Sequence, residues 1–145
     1  MKKFYWQERV WTCGPAAFRT ALHRLEIRKS EKYFSNILSA NPRIGTSIKK
    51  FPKAAKKMNL KYLQGKGDLK LLKKLQKDKY QIIINYFSKL HNGGHYAVVN
   101  KISKDRIYLA DPASGPNISF SKNYFKKNWH SSSKKYHKWF FAVKK

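Results

Sequence analysis

The stretch Gln7-Glu8-Arg9-Val10-Trp11-Thr12-Cys13-Gly14-Pro15-Ala16-Ala17 decides the reading of this chain. Cys13 is the only cysteine among 145 residues. It stands directly before apolar residues at helical spacing: Ala17, Phe18, Ala21, Leu22 and Leu25. Thr12 is of a type that caps helices, and Pro15 is tolerated only in a first turn, so a helix is predicted over 13–26 with the thiol at its N-terminus. There the unpaired N–H groups and the dipole favour an anion, and a thiolate is both that anion and the nucleophilic form of cysteine. The opposing reading is a small buried hydrophobe, since free cysteine is among the most buried residue types. A nucleophile needs a base from elsewhere in the chain.

Before the helix, Phe4, Tyr5, Trp6 and Trp11 read as an extended segment packed on the body. After it, Ser30 is placed to cap a second helix with Tyr33, Phe34, Ile37 and Leu38 on one face, ended by Asn41-Pro42. A third helix starting near Lys49 carries Phe51, Ala54, Ala55 and Met58, with Pro52 in its first turn. Leu60 to Gln64 reads as a short strand and Gly65-Lys66-Gly67 as a turn. Asp68 then caps a helix from Leu69 to Lys77 with Leu69, Leu72 and Leu75 inward. Strands are predicted at Tyr80–Phe87, His95–Ile102, Arg106–Ala110, Ile118–Phe120 and Trp139–Val143, with a tight turn at Gly93-Gly94 and a loop over Pro112–Pro116. Ser121 caps a short helix through Trp129. Helices followed by an antiparallel meander give an α+β class, N-terminal helices packed on a C-terminal antiparallel sheet. No repeat or boundary divides the chain, so residues 1–145 read as a single domain.

Hydrophobic residues make up 41% of the chain and aromatics 15%. That is too apolar for disorder despite the charge. A lone cysteine forms no internal disulfide and gives no support for an oxidising compartment. Two lysines near the start are not followed by an apolar core of a signal peptide, and no run approaches the roughly 20 apolar residues of a membrane span. The expectation is a soluble cytoplasmic protein, or a mature form whose leader is missing. Thirty-three Lys and Arg against seven Asp and Glu leave a net charge of +26. Such a field attracts nucleic acid, anionic membrane or acidic peptides. The lysines are scattered rather than gathered, which reads as a solubilising composition that still biases partner choice toward acidic molecules.

His95 opens a predicted strand, and Asp111 follows the next and precedes Pro112. Adjacent antiparallel strands bring such positions side by side. An Asp beside a His fixes its tautomer and stabilises the imidazolium, and an imidazolium beside Cys13 would lower the thiol pKa. Nucleophile, base and orienter are then all present. Gln7 lies six positions ahead of Cys13. Its side-chain NH2, with the Cys13 backbone N–H, would form an oxyanion hole, where losing one donor typically costs about 10²–10³ in rate.

In order, the chain shows Gln7, then Cys13-Gly14-Pro15-Ala16, then Gly94-His95-Tyr96-Ala97-Val98-Val99, then Ala110-Asp111-Pro112. This pattern resembles the papain-like cysteine peptidases that remove double-glycine leaders from bacteriocin and related precursors, usually as the N-terminal domain of an ABC exporter. The resemblance implies Cys13 as nucleophile, His95 as general base and acid, Asp111 as orienter and Gln7 in the oxyanion hole. It also implies peptide-bond hydrolysis through a thioester, with cleavage after Gly-Gly in a leader peptide, an ABC exporter as partner, and no cofactor. The chain departs from the exporter arrangement in having neither a membrane part nor a P-loop pattern. A free-standing member would then take another substrate, or act as an acyltransferase on the same thioester.

The competing class is a non-catalytic basic domain that binds nucleic acid. Its support is the charge and runs such as Tyr124-Phe125-Lys126-Lys127-Asn128-Trp129, where aromatics between lysines can stack bases. Against it, Phe125 and Trp129 are four apart and form the inner face of a helix. No metal site is expected. One cysteine is too few for a common structural zinc site, and Gly93-Gly94 between His91 and His95 keeps those two off a helix face.

Overall fold

The computed structural model describes residues 2–145. Its elements run α1 (Cys13–His23), α2 (Glu31–Ile37), α3 (Lys50–Lys57), β1 (Lys61–Lys66), α4 (Leu69–Lys77), β2 (Gln81–Ser88), β3 (Gly93–Ile102), β4 (Arg106–Asp111), β5 (Gly115–Ser121), α5 (Lys122–Asn128) and β6 (Trp139–Lys144). The strands form one six-stranded antiparallel sheet in the order β1-β6-β2-β3-β4-β5. β2 to β5 make the expected meander. The last strand departs from it, inserting between β2 and the edge strand β1.

Both faces of the sheet are covered, which explains why Ile82-Ile83-Ile84 is apolar without alternation. Ile83, Val98, Ala110, Phe141 and Val143 face α1, α2 and α3, packing on Phe18, Leu22, Phe34 and Phe51. Ile82, Ile84, Ala97, Val99, Leu109 and Ala142 face α4 and α5, packing on Leu72, Phe125 and Trp129. Each Val, Leu, Ile or Phe among them, fully buried, contributes roughly 1.5–3 kcal/mol. Phe51 sits where the first cluster is densest, its ring against those of Phe18, Tyr96, Trp139 and Phe141. The pair Phe125 and Trp129 is buried, so these rings fill the core and are not free to stack on bases. Lysines at both ends of the exposed edge strand β1 discourage pairing with another chain.

The helix caps follow their chemistry. Ser30, Asp68 and Ser121 each accept a hydrogen bond from the backbone N–H three residues on. Thr12 occupies the N-cap of α1 without capping it; its hydroxyl closes the preceding loop by bonding Arg9 instead. α1 ends at His23, and residues 24–26 continue only as turns.

Two glycine pairs were expected in turns and lie elsewhere. Gly65 and Lys66 belong to β1, and Gly67 approaches the Phe140 ring so closely that a Cβ would sit 2.8 Å from Cδ1. Gly93 and Gly94 belong to β3; the reversal falls on residues 89–92, where Asn92 takes the left-handed conformation (φ 51°). Gly94 is required by proximity, because a Cβ there would meet Asn85 Oδ1 at 2.7 Å and the Ser132 backbone nitrogen at 2.9 Å. Gly94→Ala should therefore lower stability by about 1–3 kcal/mol, read as a drop in denaturant midpoint at unchanged slope. An unchanged midpoint would show that the 131–133 loop yields freely.

Candidate active site

The cleft lies where the N-terminus of α1 meets the start of β3. Gln7, Cys13, Asn85, His91, His95 and Tyr96 line one cavity of about 780 Å³, walled by the 44–48 segment on one side and Ser131–Ser133 on the other. α1 can approach the 44–48 wall because residue 14 is glycine: a Cβ there would fall 2.5 Å from Thr46 Oγ1. The Tyr96 hydroxyl donates to the Thr46 carbonyl at 2.7 Å and ties that wall to β3. On the other side the Gly94 N–H donates to Ser132 Oγ at 2.5 Å.

Asp111 is fully buried, and its oxygens are all engaged. Strand alternation puts Asp111 on the same face of β4 as Ile107 and Leu109, opposite Ala110, and the β4–β5 register shift adds its extra residue on β5. Oδ1 accepts from the Ala113 N–H (2.8 Å) and more weakly from Ser114 (3.3 Å), and Oδ2 accepts from the Tyr86 hydroxyl. His95 Nδ1 lies 3.2 Å from Oδ1, an ion-pair distance whose angles fall short of an aligned hydrogen bond. Burial alone would push the Asp111 carboxyl up; the His95 ring, the Tyr86 hydroxyl and the Ala113 amide outweigh it and hold the pKa below the usual carboxylate value. Tyr86 is driven the other way, first by burial and then by the Asp111 charge, so it stays a phenol and a donor. His91 stacks on the His95 ring, centroids 4.9 Å apart, from the 89–92 loop.

Cys13 is half-buried and lines the cavity. The expected thiolate does not follow. Burial pushes the thiol up to about 11, opposed by the Tyr96 amide and reinforced by the Asp111 charge. Desolvation of a charge outweighs the helix N-terminus when the sulfur is packed this closely. In the free protein the thiol is therefore neutral at pH 7. Iodoacetamide should label Cys13 slowly at pH 7 and faster as pH rises toward 11, because deprotonation sets the rate. A rate at pH 7 exceeding that of free cysteine would instead reveal a standing thiolate.

Gln7 also reaches the cleft, held by its backbone N–H to the Pro112 carbonyl (3.0 Å). Its Nε2 donates to the carbonyls of Arg9 (2.9 Å) and Val10 (3.1 Å), and its Oε1 is buried with no partner. The NH2 is thus occupied within its own loop, which the sequence did not suggest. Tyr86, Asn85, His91 and Ser132 were missed as well. The interruption of an apolar strand by Asn85-Tyr86 was a usable signal for the first two; nothing local marks Ser132, which arrives from 38 residues beyond Gly94. Among the described residues, no three His, Cys, Asp or Glu side chains are gathered closely enough to hold a metal ion.

A helix carrying a cysteine at its N-terminus, packed on an antiparallel sheet that presents a His–Asp pair, defines the papain-like α+β class of cysteine peptidase domains. The chain belongs to the Peptidase C39 family, whose model matches residues 1–133, and that family is one of cysteine peptidases. Among solved structures it is similar to the peptidase domain of Streptococcus ComA, a bifunctional ABC transporter involved in quorum sensing (22% identity, 99% of this chain and 96% of that one, TM-score 0.75). It is similar also to a double glycine motif protease from an AMS/PCAT transporter, solved with its leader peptide (17% identity, 97% and 88% covered, TM-score 0.73). A C39-like protein of Bacillus anthracis superposes likewise (12% identity, 99% and 94% covered, TM-score 0.76). No curated protein sequence is significantly similar to this chain. No helix among the described residues is long and apolar enough to cross a membrane.

Proposed function

We propose that this chain hydrolyses a peptide bond with Cys13 as nucleophile, His95 as general base and then general acid, Asp111 as orienter of His95, and Gln7 with the Cys13 N–H as oxyanion donors. The observation that carries this reading is that Cys13 and His95 line one cleft, with His95 already paired to the buried carboxylate of Asp111. Because the thiol is neutral at rest, His95 removes its proton as the sulfur attacks the substrate carbonyl. The resulting imidazolium is stabilised by Asp111. His95 then passes that proton to the leaving amine, leaving a thioester that water hydrolyses, again with His95 as base. For Gln7 to serve, the oxyanion must draw its hydrogens from the Arg9 and Val10 carbonyls; the developing negative charge is the stronger acceptor.

The substrate we propose is a leader peptide cut after Gly-Gly. The family supports this, as does the similar double glycine motif protease solved with its leader peptide, and so does the +26 charge, which favours an acidic leader. An ABC exporter is the proposed destination of the product. The test is hydrolysis of an acidic peptide carrying Gly-Gly, compared with the same peptide carrying Ala at either glycine. Cleavage at the Gly-Gly bond, reduced by either alanine, supports the assignment. Equal cleavage of all three leaves a peptidase of different specificity.

A further inference from the structure

At the C-terminal end of α1, about 16 Å along the helix from the thiol, a second cavity of about 530 Å³ opens between α1, α4 and the bulge of β3 at Asn100. Lys2, Arg24, Lys73, Lys77 and Lys101 stand around it, and no Asp or Glu is among the described residues that line it. Arg24 Nε donates to the Lys3 carbonyl at 3.0 Å, but Nη1 and Nη2 are shut off from water and meet no acceptor. Beside it Lys2 Nζ donates to the Asn100 carbonyl at 2.5 Å. Both cations are electrostatically uncomfortable. Arg24 is lowered to about 10 by burial, and Lys2 is lowered by loss of water and then by the Arg24 charge.

The helix end does not account for these charges. The carbonyls of Thr20, Leu22 and His23 already accept from the backbone N–H groups of Arg24, Leu25, Glu26 and Ile27. Nor does a nearby acid: Asp78, next to the cavity on the chain, is paired with Lys144. A guanidinium deprived of both water and acceptor is costly unless something negative joins it. Both Nη groups are unspent but closed off as they stand; turned into the cavity, the planar fork would meet a tetrahedral oxyanion with two parallel hydrogen bonds. The volume falls within the roughly 300–1,000 Å³ of small-ligand sites.

We propose that this cavity binds a small phosphate-bearing anion, gripped by Arg24 and Lys2 and surrounded by Lys73, Lys77 and Lys101, as a site separate from the peptidase cleft. It does not depend on the proposed substrate or on Cys13.

The test is calorimetric titration of the whole chain with inorganic pyrophosphate at 150 mM salt, where a Debye length of about 8 Å suppresses diffuse attraction to the lysine-rich surface. Saturable binding of one pyrophosphate is expected, tighter than that of citrate. Arg24→Gln should weaken it about tenfold or more, the loss of charged hydrogen bonds. The double variant Lys73→Gln/Lys77→Gln, on the exposed face of α4, should weaken it too and guards against a folding defect in the first. Lys53→Gln/Lys56→Gln on α3 removes the same charge elsewhere and should leave it unchanged. Absence of saturable binding, equal binding of citrate, or equal weakening by the α3 pair would overturn the proposal.

Discussion

Cys13→Ala and His95→Ala should each lower hydrolysis of a cleavable peptide by at least about 10⁴-fold, measured as kcat under saturating substrate. The two losses should not add in the double variant, because nucleophile and base act as one unit. The neutral resting thiol sharpens the expectation for His95. Without the imidazole, the proton of a thiol whose pKa is pushed up to about 11 has nowhere to go at neutral pH. The residual activity of His95→Ala should therefore rise with pH as hydroxide replaces the missing base. A His95→Ala variant that keeps wild-type kcat would remove the catalytic reading altogether, whatever the fold.

Asp111→Asn should lower kcat by about 10²–10⁴-fold with KM little changed, since a neutral amide cannot stabilise the imidazolium while the cleft keeps its shape. Asp111→Ala should cost stability as well. It strands the Tyr86 hydroxyl and the Ala113 N–H without acceptors in a buried site, about 1–3 kcal/mol for each. The same carboxylate links stability to pH. Its folded pKa lies below the unfolded value of about 3.9. Its stabilisation is therefore complete above that value and is lost as pH falls through the lower folded one. Denaturant midpoints measured between neutral and acid pH should fall less steeply in Asp111→Ala than in the parent. A parallel fall would mean that Asp111 is not held as a charged group in the folded state.

How much of this was legible beforehand differs from residue to residue. α4 was readable to its cap because Asp68 and the leucines at 69, 72 and 75 act within two turns of one another. The thiol at a helix start was readable for the same reason. The Gly65 and Gly93 pairs were misplaced because glycine serves both turns and close approach, and only the facing atoms tell which: the Phe140 ring, Asn85 and Ser132. β6 was recognised as a strand, yet its place between β1 and β2 depends on hydrogen bonds to partners distant in the chain.

The amino-acid order by itself determined most of the elements and the α+β class, because capping and periodicity are local properties, and its motif spacing singled out the four side chains proposed for the chemistry. The tertiary structure alone decided the state of those side chains. Burial set the Cys13 thiol against its own helix dipole, the pairing of β2, β3 and β4 brought Asp111 within reach of Tyr86 and His95, and a loop bond occupied Gln7. Each of these is a balance between desolvation and contacts supplied by remote parts of the chain, and no stretch of sequence contains both sides of that balance.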